Sequence, residues 1–226
     1  MPVLTPIPIT LRSEDIARAL RLPSGETETA GELLDFARPL LRPRALFRDA
    51  LIERREDTAV EIETRLFQSR VLRRNLEGTD MVFPFLITIG DELEKAASAQ
   101  ADLLRQYYLE SLADLALSAA AEHLDGHIRR IFGLKKLGSM SPGSLEDWPL
   151  EEQKPLFALL GETEHRLGVR LTDSLLMVPR KSVSGIFFPV EESFTTCRLC
   201  PRPRCQGRRA PFEPELRRTF GLEEVP

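Results

Sequence analysis

Apolar residues recur with a helical period through the middle of the chain. Ala, Leu and Glu dominate residues 91–136, and the apolar positions that share one helical face are Leu109, Leu112, Ala116, Ala119, Ala120 and Leu124. This pattern predicts one long helix. Because the alanine side chain is so small, the alanines on that face also predict close packing against a neighbouring element.

Other stretches have the pattern of β-strands. Residues 60–66 alternate strictly between apolar and polar side chains, which predicts a half-buried strand with Val60, Ile62 and Leu66 on one face. Residues 81–89 are rich in branched and aromatic side chains, which is typical of a buried strand. We therefore expect both stretches to contribute to a sheet.

Residues 169–177 and 182–190 lie on either side of a short turn at residues 179–181. We expect these two stretches to pair with each other as an antiparallel hairpin. Capping residues and helix breakers predict shorter helices within residues 13–22, 31–37, 68–76 and 149–160. The sum is an α+β fold, with a twisted antiparallel sheet, one long helix and several short helices.

Composition divides the chain into three ranges. Residues 1–80 mix short helices and strands, and we expect this region to pack on the main domain. Residues 81–190 contain the long helix and the central strands, and we expect them to form the core of the domain. Residues 191–226 form a tail rich in Cys, Arg and Pro.

The overall composition is that of an ordinary globular protein. The chain has 226 residues and a formal net charge of −4, which gives no field that would attract nucleic acid. No apolar run approaches the ~18 residues that span a bilayer, and the first residues lack the basic and apolar regions of a secretory signal. We therefore expect a cytoplasmic protein with neither a membrane nor a nucleic acid as its partner.

The cysteines are the most conspicuous candidates for metal ligands. Cys197, Cys200 and Cys205 lie within one short, arginine-rich segment. The Cys-x2-Cys spacing can direct two thiolates at zinc or an iron–sulfur cluster, whereas the alternative is a reduced loop without metal. His123 and His127 share a helical face, but the residues between them do not form a metalloprotease motif, so we interpret them as surface histidines.

A family resemblance rests on three segments that occur in order. The first is Ser-Pro-Gly-Ser at residues 141–144, followed by Asp-Trp-Pro-Leu-Glu-Glu at 147–152. The second is Leu-Thr-Asp-Ser at 171–174, and the third is Ser-Val-Ser-Gly at 182–185 with an aromatic pair after it. Together they resemble the activation domain of cobalamin-dependent methionine synthase, here expected as a free-standing protein.

The resemblance implies that the chain presents S-adenosylmethionine to a corrinoid methyltransferase whose cobalamin has been oxidised and inactivated. In that family a flavoprotein supplies an electron, and the methyl of S-adenosylmethionine traps the reduced cobalt. The implied activity is positioning rather than acid, base or nucleophilic catalysis. The residues that the family motif and the loop chemistry place at the S-adenosylmethionine site are Ser139, Ser141, Pro142, Gly143, Ser144, Asp147, Trp148 and Lys181.

Loop chemistry agrees with this assignment. Pro142 fixes one φ angle and Gly143 frees the next, so backbone amides can approach a ligand closely. Asp147 then begins a helix whose free N–H groups can receive a carboxylate. We therefore expect residues 139–148 to line a shallow groove, with the amides of Gly143 and Ser144 facing it.

Three positions depart from the family pattern. The arginine that begins the family loop is Ser139 here, the tyrosine after Pro-Gly is Ser144, and an acidic residue of the long helix aligns with Ser118. Another cation must then hold the carboxylate of the ligand, and the candidates are Lys135, Lys136 and Lys181, of which we favour Lys181 because it lies beside the Ser-Val-Ser-Gly strand.

The same departures leave other functions open. One is a non-catalytic partner of a corrinoid protein, or an electron-transfer protein, that has lost S-adenosylmethionine and carries a cysteine-ligated centre. For that centre an iron–sulfur cluster is favoured slightly over zinc, because activating a corrinoid requires a low-potential electron. The other is a structural subunit of a separate methyltransferase.

Overall fold

The computed structural model describes residues 3–23, 27–192, 194–205 and 208–222. Its strands are β1 (Val3–Leu4), β2 (Arg44–Phe47), β3 (Ala50–Arg55), β4 (Ala59–Ile62), β5 (Arg65–Gln68), β6 (Met81–Thr88), β7 (Leu137–Met140), β8 (Arg170–Leu171), β9 (Met177–Val178) and β10 (Ser182–Pro189). Its α-helices are α1 (Ser13–Ala19), α2 (Thr27–Ala37), α3 (Arg70–Asn75), α4 (Glu92–Ser98), α5 (Leu103–Phe132), α6 (Gln153–Leu160), α7 (Thr163–Leu167) and α8 (Pro214–Thr219). Short 3-10 helices are Arg38–Leu40, Leu150–Glu152 and Thr196–Arg198.

The chain forms two compact units, and each unit is assembled from separate segments. The first unit consists of residues 1–46, 86–127 and 162–183, and the second of residues 47–85, 128–161 and 184–226. The boundaries fall inside β2, β6, α5 and β10, so several elements begin in one unit and end in the other.

Helix packing forms the core of the first unit. The predicted apolar face of the long helix is buried at Leu109, Leu112 and Ala116, and these residues pack in one cluster with side chains of α1, α2 and α4. Closely packed alanines such as Ala30 and Ala113 are part of that cluster. The structure divides the predicted helical stretch 91–136 into α4 and α5, whereas the apolar face of α5 and its close packing follow the sequence prediction.

Antiparallel strand pairs form the sheet of the second unit. β3 pairs with β4 and β4 pairs with β5, while the first residues of β6 pair with β3. β7 pairs with β10 in the register Met140↔Ile186 and Ser139↔Phe187. The predicted α+β class, with an antiparallel sheet, one long helix and several short helices, is confirmed.

Gly185 marks a close approach between β10 and its neighbours in the second unit. A Cβ atom at this position would lie 2.4 Å from the carbonyl oxygen of Met140 and 2.9 Å from the Phe85 ring. The rings of Phe85 and Phe187 stack with centroids 4.1 Å apart. The φ angle of Gly185 is not positive, so glycine is required here by the lack of space and not by the backbone conformation.

The strand predicted at residues 60–66 is in fact a hairpin. β4 ends at Ile62, and β5 begins at Arg65 after a turn in which Glu63 has a φ of +51°. Leu66 is 39% exposed, whereas its neighbour Phe67 is buried. The prediction was wrong because a polar turn continues the alternation of side chains, and a positive φ at a non-glycine residue leaves no sequence signal.

The hairpin predicted between residues 169–177 and 182–190 is also wrong. β8 and β9 pair with each other, and the chain between them forms a tight turn. The amide of Leu175 donates to the carbonyl of Thr172 (2.9 Å), and the amide of Leu176 donates to the Thr172 hydroxyl (3.1 Å). Short polar side chains often compete with strand pairing in this way, and β10 pairs with β7 instead.

Within the described residues, none of the helices combines the length and the apolar composition needed to span a bilayer.

Candidate functional site

β7 carries the first residue of the predicted loop. Ser139 pairs with Phe187 of β10 and also forms a parallel bridge with Thr195 of the tail. Its backbone is therefore fixed by two neighbours in the second unit. The Ser139 side chain is partly exposed, as are those of Ser141 and Ser144, whereas Pro142 is buried.

The amides of the Pro-Gly loop donate hydrogen bonds within the loop itself. Gly143 has a φ of +80°, and its N–H donates to the carbonyl of Trp148 at 2.7 Å. The N–H of Ser144 donates to the carbonyl of Ser141 at 3.1 Å, and the Ser144 hydroxyl donates to the same oxygen at 2.6 Å. The expectation that these two amides face a ligand was therefore wrong, because both already have partners inside the loop.

Asp147 joins the loop to α3. Its carboxylate accepts hydrogen bonds from the Ser69 hydroxyl (2.7 Å), the Val71 amide (2.9 Å) and the Arg70 guanidinium (2.9 Å). Its side chain is only 4% exposed. The carboxylate therefore supports the N-terminus of α3, and its contacts place it in the framework of the loop.

Trp148 is the buried anchor at the end of the loop. Its side chain is fully buried, and its ring lies edge-on to Phe67 with centroids 6.4 Å apart. Nearby, burial raises the pKa of the Glu152 carboxyl, while a hydrogen bond from the Gln68 amide (2.9 Å) and the Trp148 indole oppose that rise. The Trp148 indole N–H makes no hydrogen bond of normal geometry, so it lowers the Glu152 pKa less than the Gln68 amide does.

Lys181 belongs to the first unit, in a cluster of opposite charges. Its ammonium lies 2.7 Å from the Asp114 carboxylate and donates to the backbone carbonyl of Glu110 at 3.2 Å. Arg180 beside it contacts Glu94 and Glu110 at 2.6 and 2.9 Å. The Lys181 side chain is only 9% exposed, and its ammonium already has a carboxylate partner in Asp114. Ser118 lies on α5 of the same unit and is partly exposed.

A large groove lies within the second unit, near the start of β7. Its volume is about 1090 Å³. Its charged and aromatic lining includes Lys135, Lys136, Glu77, Glu191, Glu192, Arg198, Phe194 and Phe220. The residues predicted for the ligand site at 139–148 are not part of this lining, and Asp147 instead lines a smaller cavity of about 200 Å³ with Arg70 and Arg217.

Sequence reasoning missed the two phenylalanines of this groove. Phe194 lies shortly after β10, and Phe220 directly follows the short helix α8 in the tail. The only available signal was the occurrence of aromatic residues in an otherwise polar tail, which does not show where they pack. Lys135 and Lys136, in contrast, were among the predicted cations.

The cysteine segment is folded around Arg208. Its guanidinium donates to the carbonyls of Cys197 (3.0 Å) and Cys200 (3.1 Å). Burial opposes ionisation of the Cys197 thiol, but hydrogen bonds from the Arg209 amide, the Thr195 side chain and the Ala210 amide, with the charge of Arg208, lower its pKa overall.

The structure does not bring these thiols together as metal ligands. Cys197 and Cys200 are partly buried, and Cys205 is exposed. Across residues 3–23, 27–192, 194–205 and 208–222, no three His, Cys, Asp or Glu side chains are grouped closely enough to hold a metal ion. The cysteine-ligated centre therefore stays a prediction from sequence spacing.

Two comparisons with known proteins bear on this arrangement. The family model described as the activation domain of vitamin B12 dependent methionine synthase matches residues 142–197. That segment contains the Pro-Gly loop, the β8–β9 turn, β10 and the first cysteine.

The second comparison is with a solved structure. A crystal structure of the MetH reactivation domain bound to AdoHcy superposes with a TM-score of 0.60 at 20% sequence identity, over 86% of this chain and 80% of that one. At this identity the superposition establishes the fold, and the family model supplies the sequence match. Residues 142–197 therefore match the methionine synthase activation domain family, and the chain shares the fold of the MetH reactivation domain.

Proposed function

We propose that this protein is a reactivation module that binds S-adenosylmethionine and presents its methyl group to reduced cobalamin on a corrinoid methyltransferase. The observation that carries the proposal is its shared fold with a MetH reactivation domain bound to AdoHcy. AdoHcy, S-adenosylhomocysteine, is what remains of S-adenosylmethionine after its methyl group has been transferred. The match to the activation domain family over residues 142–197 supports the same role.

The work of the protein in this proposal is positioning. Bound cobalamin supplies the reactive cobalt, and a flavoprotein is the proposed source of the electron. The residues of this chain hold the methyl donor in one orientation, and a correct orientation can by itself contribute several kcal/mol, up to about 7–11 in favourable cases. We place the donor in the groove of the second unit, whose volume of about 1090 Å³ is ample for a nucleoside with an amino-acid tail.

In this proposal a lysine takes the place of the arginine in the family motif. Lys135 and Lys136 are exposed, line the groove and directly precede β7. Lys181 is nearly buried against Asp114 and Glu110 in the first unit. A ligand carboxylate gains little from an ammonium that is already paired, so we favour the two groove lysines over Lys181. A lysine cannot form the bidentate fork of an arginine, so we expect weaker binding than with the full family pattern.

The electron-transfer alternative has less support. It depends on a metal centre at the cysteines, and the described residues hold no group of three candidate ligands. The fold comparison, in contrast, points to a domain that was crystallised with a product of methyl transfer. We therefore keep the cysteine-ligated centre as a separate prediction and do not use it in the proposed function.

Calorimetric titration of lysine variants with S-adenosylhomocysteine tests this assignment. A lost contact between a lysine and a carboxylate of about 1–2 kcal/mol would weaken binding about 5–30-fold. We expect that loss for the double variant Lys135→Ala/Lys136→Ala. Lys154→Ala, which removes an exposed lysine of α6 in the same unit, serves as the matched control and is expected to bind like the wild type.

Lys181→Ala separates the two candidate positions for the cation. We expect it to lower the melting temperature, because Asp114 loses the ammonium that lies 2.7 Å away, and to leave the dissociation constant within about twofold of the wild type. If Lys181→Ala weakens binding while the double variant does not, the sequence-based choice of Lys181 is correct and the groove assignment is wrong.

A further inference from the structure

The C-terminal tail supplies one wall of the large groove. Leu216 and Phe220, at and just after α8, line the groove together with Phe194. The ring of Phe194 lies 6.0 Å from that of Phe220 and 6.2 Å from that of Phe188 on β10. The three rings therefore form a continuous aromatic series that runs from the sheet into the tail.

Side chains of the tail hold this wall in place. Arg198 forms a two-pronged contact with Glu213 at 2.7 and 2.9 Å, and the amide of Glu213 donates to the carbonyl of Arg198. The buried Arg217 donates to the carbonyl of Leu199 at 2.9 Å. Bidentate pairs of this kind fix geometry as well as adding stability, so α8 has a defined position on the second unit.

Phe220 also contacts a side chain of α3. The guanidinium of Arg74 lies over its ring, 5.0 Å from the centroid. Arg70, on the same helix α3, donates to the carbonyl of Gly221 at 3.0 Å and to the carboxylate of Asp147 at 2.9 Å. One arginine thus connects the Pro-Gly loop with the end of the tail that carries Phe220.

The groove combines three kinds of surface. Lys135 and Lys136 offer positive charge, and Glu77, Glu191 and Glu192 offer negative charge, while Phe194 and Phe220 offer an apolar aromatic surface. A ligand that matches all three has a flat ring system and an end that carries both an ammonium and a carboxylate group. A purine nucleoside with an amino-acid tail has these features.

We infer that the tail is part of the ligand site, with Phe194 and Phe220 forming the surface against which the purine base lies. This inference rests on the proposed function and extends it, because α8 lies beyond the segment that matches the activation domain family. The base stacks on this wall, since rings only 6.0 Å apart leave no room for a second ring between them. Stacking of a base on an aromatic side chain contributes to affinity whatever the base, so the wall adds binding without adding hydrogen-bond specificity.

The test uses three probes: adenosine, methionine and S-adenosylhomocysteine, each titrated calorimetrically into the full chain. We expect Phe220→Leu to weaken the binding of adenosine and of S-adenosylhomocysteine about tenfold each, and to leave the affinity for methionine unchanged. Phe220→Tyr keeps the aromatic ring and is expected to retain affinity within about twofold. Phe157→Leu, at a half-buried phenylalanine of α6 in the same unit, is the matched control, and melting curves establish that each variant is folded.

Each outcome decides one proposal. Unchanged adenosine affinity in Phe220→Leu would overturn the inference even if S-adenosylhomocysteine binds the wild type, and so would equal losses in Phe220→Leu and Phe220→Tyr. Wild-type binding of adenosine that Phe220→Leu weakens, without any binding of S-adenosylhomocysteine, would support the aromatic wall and contradict the proposed function. Failure of the wild type to bind adenosine would overturn the inference.

Discussion

Asp147 shows how a single side chain can connect the candidate loop with its support. The carboxylate accepts hydrogen bonds from Ser69, Arg70 and Val71 and is almost fully buried. Arg70 in turn reaches the carbonyl of Gly221 in the tail. The family motif led us to assign Asp147 to the ligand site, and its contacts instead favour a role in holding the loop.

Asp147→Ala should destabilise the protein without direct loss of a ligand contact. The substitution leaves the Ser69 hydroxyl and the Val71 amide without their partner, at a cost of about 2–3 kcal/mol. For a chain of this size we expect the melting temperature to fall by about 5–10 °C, measured by circular dichroism. Glu146→Ala, which changes the exposed acidic neighbour, should shift it by less than about 2 °C, and equal shifts in the two variants would contradict the assignment.

Sequence reasoning reached some residues of the candidate site and missed others, for identifiable reasons. The Pro-Gly pair correctly predicted a turn, because Gly143 does adopt a positive φ. The sequence could not show that the amides of the loop form hydrogen bonds within the loop, since the 2.7 Å hydrogen bond from the Gly143 amide to the Trp148 carbonyl depends on how the loop closes. Nor could it show that Lys181 pairs with Asp114, 67 residues away along the chain.

At the scale of elements, β10 determines how closely its neighbours approach. Gly185 leaves space for the backbone of Met140 on β7 and for the ring of Phe85 on β6, and all three lie in the second unit. The sequence suggested this strand through its Ser-Val-Ser-Gly motif, and β10 begins at Ser182 as predicted. Its partner was predicted incorrectly, because pairing between strands is a long-range property that local alternation does not specify.

Gly185→Ala should therefore disturb the packing of β10. A methyl group 2.4 Å from the Met140 carbonyl forces backbone movement, and overpacking of this kind costs about 1–3 kcal/mol. We expect a fall of about 3–10 °C in melting temperature. Gly31→Ala is the matched control, because its added Cβ meets open space within α2. That variant should be neutral or more stable by up to about 1 kcal/mol, and a stable Gly185→Ala protein would contradict the packing argument.

The elements that the sequence predicted well are those with strong local signals. The helical period of residues 109–124 falls entirely within α5, and the aromatic and branched run at 81–88 forms β6. The predictions failed where polar turns interrupt an apparently continuous pattern, as at Glu63 and at Thr172. Turns of this kind are fixed by backbone conformation and by local hydrogen bonds, which alternation alone does not reveal.

At the scale of the whole molecule, the candidate site is assembled from separate segments of the chain. The second unit contains the Pro-Gly loop, the later part of β10 and the tail, although the loop is separated in sequence from the other two. Its groove therefore combines lysines that precede β7 with aromatic residues of the tail. The family match at 142–197 does not include Lys135, Lys136 or α8, so a sequence match by itself could not define this site.

In the proposed function, this protein binds the product and the substrate of methyl transfer at a single site. Calorimetric titration of the full chain with S-adenosylhomocysteine tests it most directly, because the measurement needs neither cobalamin nor a partner protein. We predict saturable binding of one molecule per chain with a dissociation constant below about 1 mM, and competition by S-adenosylmethionine for the same site. The absence of saturable heat up to about 1 mM, which corresponds to a binding free energy weaker than about −4 kcal/mol, would contradict the account.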